Sequence, residues 1–305
     1  MSNPILWSPS KEVVASALLT KFASGSGVED YAALHRRSID LGGEDPGAFW
    51  RDVWRFCGVI GDLGDAAKIF IPGPRMIDAE WFPTASLNFA ENLLRPADCE
   101  SPAFGDAPAI IFRDEQGREN VISRRELLKR SLEFAQRLRE LGVEPGDRVA
   151  AILPNTPVAI IAMLGAAAIG AIWSACSPDF GDDAIFDRFS QIEPRVLVTL
   201  QSSYYAGKTV ALREKAERVL ARLPSVEHAF LAGAEGSLLP SMARPTWEHF
   251  ESAVARAPKG FEWQRFPFNH PLYILYSSGT TGAPKCIVHG AGGTLLQHLK
   301  EHQLH

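Results

Sequence analysis

Apolar residues recur at helical spacing in the segment from Arg124 to Leu141. The apolar positions of this segment are Leu127, Leu128, Leu132, Ala135, Leu138 and Leu141. Their spacing places one face of a helix against a core. Ser123 and Glu126 form an S-x-x-E capping box at its start, and Gly142 is suited to end it. The pattern therefore predicts a helix over 124–141.

Short β-branched segments alternate with helical segments after Pro96. The candidate strands are Ala109–Phe112, Arg148–Leu153, Val196–Leu200, Ala229–Ala232 and Leu272–Tyr276. This alternation is typical of βαβ units and of a mostly parallel sheet flanked by helices. The predicted fold class is α/β.

One uncharged segment extends from Val158 to Ser177 and could be mistaken for a membrane span. It is rich in Ala and Gly, begins just after Pro157 and ends at Pro178. A membrane span of this length would be more uniformly apolar and free of such boundaries. We interpret the segment as a buried helix packed on a sheet.

Aromatic side chains separated by Gly and Pro are frequent between Tyr31 and Leu94. They are Phe49, Trp50, Trp54, Phe56, Trp81, Phe82 and Phe89. This composition favours a helical cap that packs its aromatic rings onto a core. We predict an N-terminal cap over residues 1–95 and a core domain over residues 96–305.

Composition and charge limit the kinds of partner that the protein is expected to bind. Hydrophobic residues make up 46% of the 305 residues, which suffices for a sizeable core. The net charge is −5, and basic residues alternate with acidic ones, as in Arg124-Arg125-Glu126. Because nucleic-acid binding depends on clustered Lys and Arg, we expect small-molecule partners and neither a nucleic acid nor a membrane.

The four cysteines are far apart in the sequence. Cys57, Cys99, Cys176 and Cys286 form no CxxC pair, which argues against a disulfide framework and against a zinc knuckle. The N-terminus has no basic segment followed by a long apolar one. A cytoplasmic location is therefore expected.

The segment that carries the clearest chemistry is Ser277–Lys285, SSGTTGAPK, which follows the strand-like Leu272–Tyr276. Gly279 and Gly282 allow a positive φ, so several backbone N–H groups can point at one anion. The hydroxyl groups of the loop belong to Ser277, Ser278, Thr280 and Thr281. They add hydrogen-bond donors, and Lys285 adds a positive charge. The pattern predicts a polyphosphate site.

The sequence disfavours two other interpretations of this loop. Many Ser/Gly/Thr-rich segments are flexible linkers, but this one lies between two apolar segments and ends in Pro-Lys. A Walker A loop needs Gly directly before its Lys and Ser or Thr directly after it. Lys285 instead lies between Pro284 and Cys286, so a P-loop NTPase is disfavoured.

SSGTTGAPK is similar to the signature phosphate loop of the adenylate-forming superfamily, which includes acyl-CoA synthetases, luciferases and peptide-synthetase adenylation domains. Most members follow the Lys with Gly, whereas this chain has Cys286. The segments Trp81–Leu94, Ile169–Gly181 and 284–305 resemble the acetoacetyl-CoA synthetase family more than the acetyl-CoA synthetase family. The resemblance begins near Tyr31 and covers almost the entire chain after it.

The resemblance implies a ligase that uses acetoacetate, MgATP and coenzyme A. A carboxylate attacks the α-phosphorus to give an acyl-adenylate and pyrophosphate, and the thiol of coenzyme A then displaces AMP. By resemblance, Thr280, Thr281, Gly282 and Lys285 hold the β- and γ-phosphates, with Thr280 and Lys285 as catalytic residues. Lys208 lies where relatives present basic residues to coenzyme A, although a solvated surface lysine is the favoured interpretation.

The same resemblance implies that later family motifs are absent from these 305 residues. They include the segment that stacks adenine and ligates magnesium, the ribose-binding Asp and the small C-terminal domain with its adenylation lysine. We therefore expect a core domain truncated after the phosphate loop, an incomplete acyl pocket and little activity of the chain alone. Acetate or another short acid as the substrate, and a non-catalytic nucleotide-binding remnant, remain the alternatives.

Several single residues have two interpretations. His298, His302 and His305 recur on one face of a candidate helix, but we predict no metal site there. His289 is expected to be a hydrogen-bonded core residue. Cys286 is expected to be a small packing residue and not a nucleophile, and Cys176 is expected at the end of the buried helix.

Overall fold

The structure is a computed structural model, and the residues that it describes are 6–28, 30–95, 101–233, 236–255, 260–277, 282 and 284–304. The helices are α1 Lys11–Ser16, α2 Leu18–Gly25, α3 Tyr31–Ile39, α4 Ala48–Phe56, α5 Phe89–Leu94, α6 Pro102–Asp106, α7 Arg124–Glu140, α8 Pro157–Ala168, α9 Asp182–Phe189, α10 Leu212–Leu220, α11 Phe250–Ala253 and α12 Ala291–Leu304.

The strands are shorter than the helices and most lie in one sheet. They are β1 Gly61–Asp62, β2 Phe70–Ile71, β3 Glu80–Trp81, β4 Ser86–Leu87, β5 Pro108–Arg113, β6 Glu119–Ser123, β7 Arg148–Ile152, β8 Ile172–Cys176, β9 Val196–Leu200, β10 Ser202–Tyr205, β11 Lys208–Ala211, β12 His228–Ala232, β13 Thr246–His249, β14 Phe266–Pro267, β15 Pro271–Ser277 and β16 Lys285–Gly290.

The chain divides into two compact units. The first comprises residues 1–87, 267–269 and 292–305, and the second comprises residues 88–266 and 270–291. The units are defined by contacts within the chain, so they do not test the predicted boundary between a cap and a core domain near residue 95. That boundary stays a prediction.

The second unit is built on the main sheet, with strand order β13-β12-β9-β7-β8-β15-β16. Every neighbouring pair is parallel except the antiparallel pair β15–β16. Helices α9 and α10 share one buried hydrophobic cluster with the strands. Ile185, Phe189 and Leu220 come from the helices, and Ile152 and Leu231 come from the strands. The predicted α/β class with a mostly parallel sheet and flanking helices is confirmed.

The candidate strand Ala109–Phe112 forms, but outside the main sheet. It lies in β5, which pairs in antiparallel register with β6. The turn between them fixes this arrangement, because the Asp114 carboxylate accepts hydrogen bonds from the backbone N–H groups of Gln116 and Arg118. A local turn of this kind makes a hairpin instead of a crossover to the parallel sheet.

Helix α7 follows its predicted bounds closely. The Ser123 hydroxyl accepts from the Glu126 N–H at 3.2 Å, and Gly142 has a φ of +75° just past the end. Leu132, Ala135 and Leu138 are buried as predicted, while the other three predicted positions are half-buried. The buried Phe134 was not predicted.

The uncharged segment from Val158 to Ser177 is not one helix, which corrects the prediction. Helix α8 ends at Ala168, and β8 begins at Ile172. Gly170 separates the two with a φ of +77°, a conformation that ends a helix. The strand is buried in the sheet, so its apolar residues give no period that separates them from a buried helix. Among the described residues, no helix is long and apolar enough to cross a membrane.

The first unit has its own aromatic core. Helix α2 supplies Phe22 to it, and helix α4 supplies Phe49 and Trp54. Phe82 stacks on Phe268 at 4.5 Å between ring centroids and on Trp54 at 5.5 Å, and Phe22 meets Phe49 edge to face. Such ring pairs add to the stabilisation from burial alone.

Helix α7 carries a buried carboxyl group, Glu133. Glu133 is 2% exposed, and within the described residues neither of its carboxylate oxygens has a hydrogen-bond partner. Burial raises the pKa of Glu133, and the charge of Lys129, whose Nζ lies 3.8 Å from the carboxylate, opposes that shift. The charged form is therefore disfavoured in the folded state.

We expect Glu133→Gln to remove a pH-dependent loss of stability. A carboxyl group with a raised folded-state pKa binds its proton more tightly in the folded chain, so stability falls as pH rises from about 4.3, its ordinary pKa, through the folded-state value. Urea unfolding between pH 4 and pH 8 should show the variant gaining stability over the wild type as pH rises. Glu144→Gln, at an exposed site, is the control. A constant difference between wild type and Glu133→Gln would contradict this account.

Candidate functional site

The candidate site lies where β15 and β16 form a hairpin. Ser277 is paired with Lys285 across this hairpin, and Tyr276 is paired with Cys286. The predicted site residues between them that lie outside the described residues are Ser278, Gly279, Thr280 and Thr281. The predicted apolar strands on both sides of the loop are present.

The hairpin places two predicted phosphate-binding side chains next to each other. Residues directly opposite in an antiparallel pair project from the same face of the sheet, so the Ser277 hydroxyl and the Lys285 ammonium share one face. Lys285 is exposed, and no described carboxylate forms an ion pair with it. Gly282 has a φ of +130° with open space where a Cβ would lie. A hydroxyl beside an unpaired cation suits an anion.

The topology of the sheet supports this location. The loop follows the carboxyl end of β15, which is parallel to its neighbour β8. In open α/β sheets, ligands bind outside the carboxyl ends of the strands. The fold therefore brings Ser277 and Lys285 to the edge where such sheets hold ligands.

Two side chains hold the end of β15 in place. The Ser174 hydroxyl donates to the Ile274 carbonyl at 2.8 Å, and the Tyr276 hydroxyl lies 3.1 Å from Ser174 Oγ and 3.3 Å from the Arg188 carbonyl. Burial raises the pKa of Tyr276, so the phenol keeps its proton and can donate. These contacts have no local signal in the sequence, because they join residues 88 to 102 positions apart.

The two cysteines near the hairpin are not activated nucleophiles. Burial raises the pKa of Cys176 to about 12, and the partial loss of solvent around its thiol raises the pKa of Cys286. Cys176 ends strand β8 and not a helix, which corrects its predicted location. Cys286 is exposed and not a packing residue; its Sγ lies 3.6 Å from Gln191 Oε1.

Lys208 lies on a separate hairpin. Strands β10 and β11 pair with Tyr205 opposite Lys208, and the two-residue turn is Ala206-Gly207 with φ values of +49° and +76°. Lys208 is exposed. Among the described residues, no hydrogen bond or ion pair joins Lys208 to the β15–β16 hairpin, and its assignment to coenzyme A stays a prediction.

The histidines do not assemble into a site within the described residues. His289 is exposed in β16, which corrects its predicted burial in a core. His298 and His302 lie exposed on α12, and His305 lies outside the described residues. In the part of the chain that the structure describes, no group of three His, Cys, Asp or Glu side chains could hold a metal ion.

Comparison with known proteins identifies the family. Residues 100–303 match the family model described as AMP-binding enzyme. The acetoacetyl-coenzyme A synthetase of Rhizobium meliloti is 43% identical over 98% of this chain and 45% of its own length. The acetoacetyl-CoA synthetase of Macaca fascicularis is 37% identical over 93% of this chain and 42% of its own length.

Two other proteins match this chain over a similar share of their length. The malonamoyl-CoA synthetase of Penicillium aethiopicum is 39% identical over 98% of this chain and 42% of its own length. The solved acetoacetyl-CoA synthetase of Streptomyces lividans superposes with a TM-score of 0.84 at 37% identity, covering 98% of this chain and 45% of that one. This chain thus spans less than half the length of these relatives. It belongs to the AMP-binding enzyme family and, over nearly all its length, is homologous to acetoacetyl-CoA synthetases.

Proposed function

We propose that this chain forms the phosphate-binding part of an ATP-dependent ligase that joins acetoacetate to coenzyme A. The observation that carries the proposal is the 43% identity to an acetoacetyl-coenzyme A synthetase over 98% of the chain. In the reaction, a carboxylate oxygen of acetoacetate attacks the α-phosphorus of MgATP and pyrophosphate leaves. The thiol of coenzyme A then displaces AMP from the acyl-adenylate.

The residues of the hairpin would act on the departing pyrophosphate. Negative charge develops on the oxygen that bridges the α- and β-phosphates as the bond breaks, and a fixed cation stabilises that charge. Lys285 supplies the cation, with the hydroxyl of Ser277 beside it. The predicted donors Thr280, Thr281 and Gly282 would complete the contacts to the β- and γ-phosphates. Mg²⁺ arrives with the nucleotide as part of the substrate.

The complete catalytic cycle is proposed for the chain together with the rest of the family's length. The relatives are more than twice as long as the region that they share with this chain. Binding of the polyphosphate is therefore the activity that we propose for the 305 residues themselves. The cytoplasm is the proposed location, as expected from widely spaced cysteines that form no CxxC pair.

A second acid is favoured by one specific match. The relative named malonamoyl-CoA synthetase is nearly as similar to this chain as the acetoacetate relatives are. Malonamate and acetoacetate differ in the group at the far end of the acid, an amide against a methyl ketone. Overall similarity does not separate these two substrates, so a malonamate ligase is the alternative function.

A chimaeric enzyme tests the proposal. The 305 residues would replace the matching region of the Rhizobium meliloti relative, and AMP release would be measured with acetoacetate, malonamate and acetate in the presence of MgATP and coenzyme A. We expect acetoacetate to give the highest kcat/KM. Because the rest of the acyl pocket comes from the relative, the parent enzyme is assayed beside the chimaera, and a shift in preference from acetoacetate towards malonamate on replacement would support the alternative. A folded chimaera without AMP release on any acid would contradict the ligase proposal.

A further inference from the structure

The strand that carries Lys285 is the last strand of the main sheet. Within the described residues, β16 pairs only with β15 and has no strand on its other side. A strand held along one edge needs a second anchor to keep its first residue in a fixed position. The C-terminal end of α9 provides that anchor.

Three contacts join this end of α9 to the base of the hairpin. On the face opposite Ser277 and Lys285, the Tyr276 hydroxyl lies 3.3 Å from the Arg188 carbonyl. Gln191 Nε2 donates to the Pro284 carbonyl at 3.0 Å, and the Cys286 thiol lies 3.6 Å from Gln191 Oε1. The contacts from Gln191 therefore flank Lys285 on both sides along the chain.

The side-chain amide of Gln191 uses both of its N–H groups and its oxygen in these contacts. Its two N–H groups donate to the Pro284 carbonyl and to the Asp187 carbonyl at 2.7 Å, and its oxygen accepts from Cys286. Rotating the amide by half a turn would set its oxygen against two carbonyl oxygens. A carboxylate would do the same with a full negative charge. The site therefore selects an amide of this length.

We infer that Gln191 is a positioning residue for phosphate binding, which holds the start of β16 so that Lys285 keeps its place beside Ser277. The inference rests on the proposed function. Fixing a cation before the ligand arrives lowers the entropy that binding must otherwise remove. Gln191 is exposed, so its hydrogen bonds contribute the modest amount typical of such sites, about threefold to tenfold in affinity.

The test measures binding of magnesium tripolyphosphate to the 305-residue chain by calorimetry. This probe carries the phosphate tail of ATP and needs no adenine site. We expect Gln191→Ala to weaken binding about threefold to tenfold and Gln191→Glu to weaken it at least as much. Gln116→Glu in the β5–β6 turn adds the same charge at an exposed site and should leave affinity unchanged. Thermal unfolding without ligand should be similar in all these variants.

A pH series separates positioning from general destabilisation. Protonated Glu at position 191 can donate to one of the two carbonyl groups, so the affinity ratio between wild type and Gln191→Glu should narrow as pH falls from 8 to 5. Binding by the Gln191 variants equal to that of wild type would overturn the inference alone. So would a lower unfolding temperature without loss of affinity. Absence of tripolyphosphate binding by the wild-type chain would instead overturn the proposed function, and the inference with it.

Discussion

Replacing Lys285 with alanine is expected to weaken binding of magnesium tripolyphosphate to this chain by about tenfold to a hundredfold. The ammonium lies on the same face of the hairpin as Ser277, and no described carboxylate pairs with it. Its removal therefore takes away a cation that has no ion-pair partner among the described residues and can meet the ligand. Calorimetry at low ionic strength would measure the loss, and the salt dependence of binding should also become weaker.

Two further variants make this result specific. Lys285→Arg keeps the charge but not the compact ammonium, so it should bind more tightly than Lys285→Ala and more weakly than wild type. Lys68→Ala removes an exposed lysine of the first unit and should have no effect. In the chimaeric enzyme, Lys285→Ala should slow adenylate formation much more than thioester formation from supplied acyl-AMP. Equal losses in both half-reactions would mean that Lys285 does not act on the pyrophosphate.

Gly170→Ala is expected to lower the free energy of unfolding by about 3 kcal/mol. Gly170 has a φ of +77°, and a Cβ there would lie 2.5 Å from Cζ of the Phe266 ring. The ring cannot move away easily, because it stacks on His270, whose Nε2 lies 2.7 Å from the Gly170 carbonyl. Backbone strain and steric overlap therefore act together at this residue.

A matched glycine separates these two causes. Gly117 in the β5–β6 turn has nearly the same φ, +76°, but open space around the site of a Cβ. Gly117→Ala should therefore lose only the backbone term, about 1 kcal/mol. Urea unfolding of both variants would give the comparison. Similar losses at the two positions would show that contact with Phe266 contributes nothing.

Gly170 also shows where sequence analysis fell short of the fold. The segment around it is apolar on both sides, since α8 and β8 are both buried. In an amphipathic element such as α7, the spacing of apolar and polar residues shows whether it is a helix or a strand. An element with no polar face lacks this alternation, so the spacing does not show its type. The positive φ of one glycine made the difference between one long helix and a helix followed by a strand.

The phosphate-site prediction depends on the residues of the loop alone, and the sequence carries no signal for the residues that surround it. Glycines, hydroxyls and a lysine within nine residues indicate a phosphate site by local chemistry alone. Gln191 precedes Cys286 by 95 positions and belongs to no motif, and its amide gains a role only because α9 packs beside the hairpin. The exposure of His289 was not predicted either. Apolar neighbours in the sequence do not show which strand lies at the edge of a sheet.

The border position of β16 has a consequence for handling the protein. Within the described residues its outer N–H and C=O groups face no other strand, and Ile287 and Val288 are 44% and 57% exposed. Uncapped β-edges with apolar side chains are templates for intermolecular strand addition. The 305-residue polypeptide should therefore self-associate as its concentration rises, and a Lys substituted for Val288 would act as a gatekeeper against it.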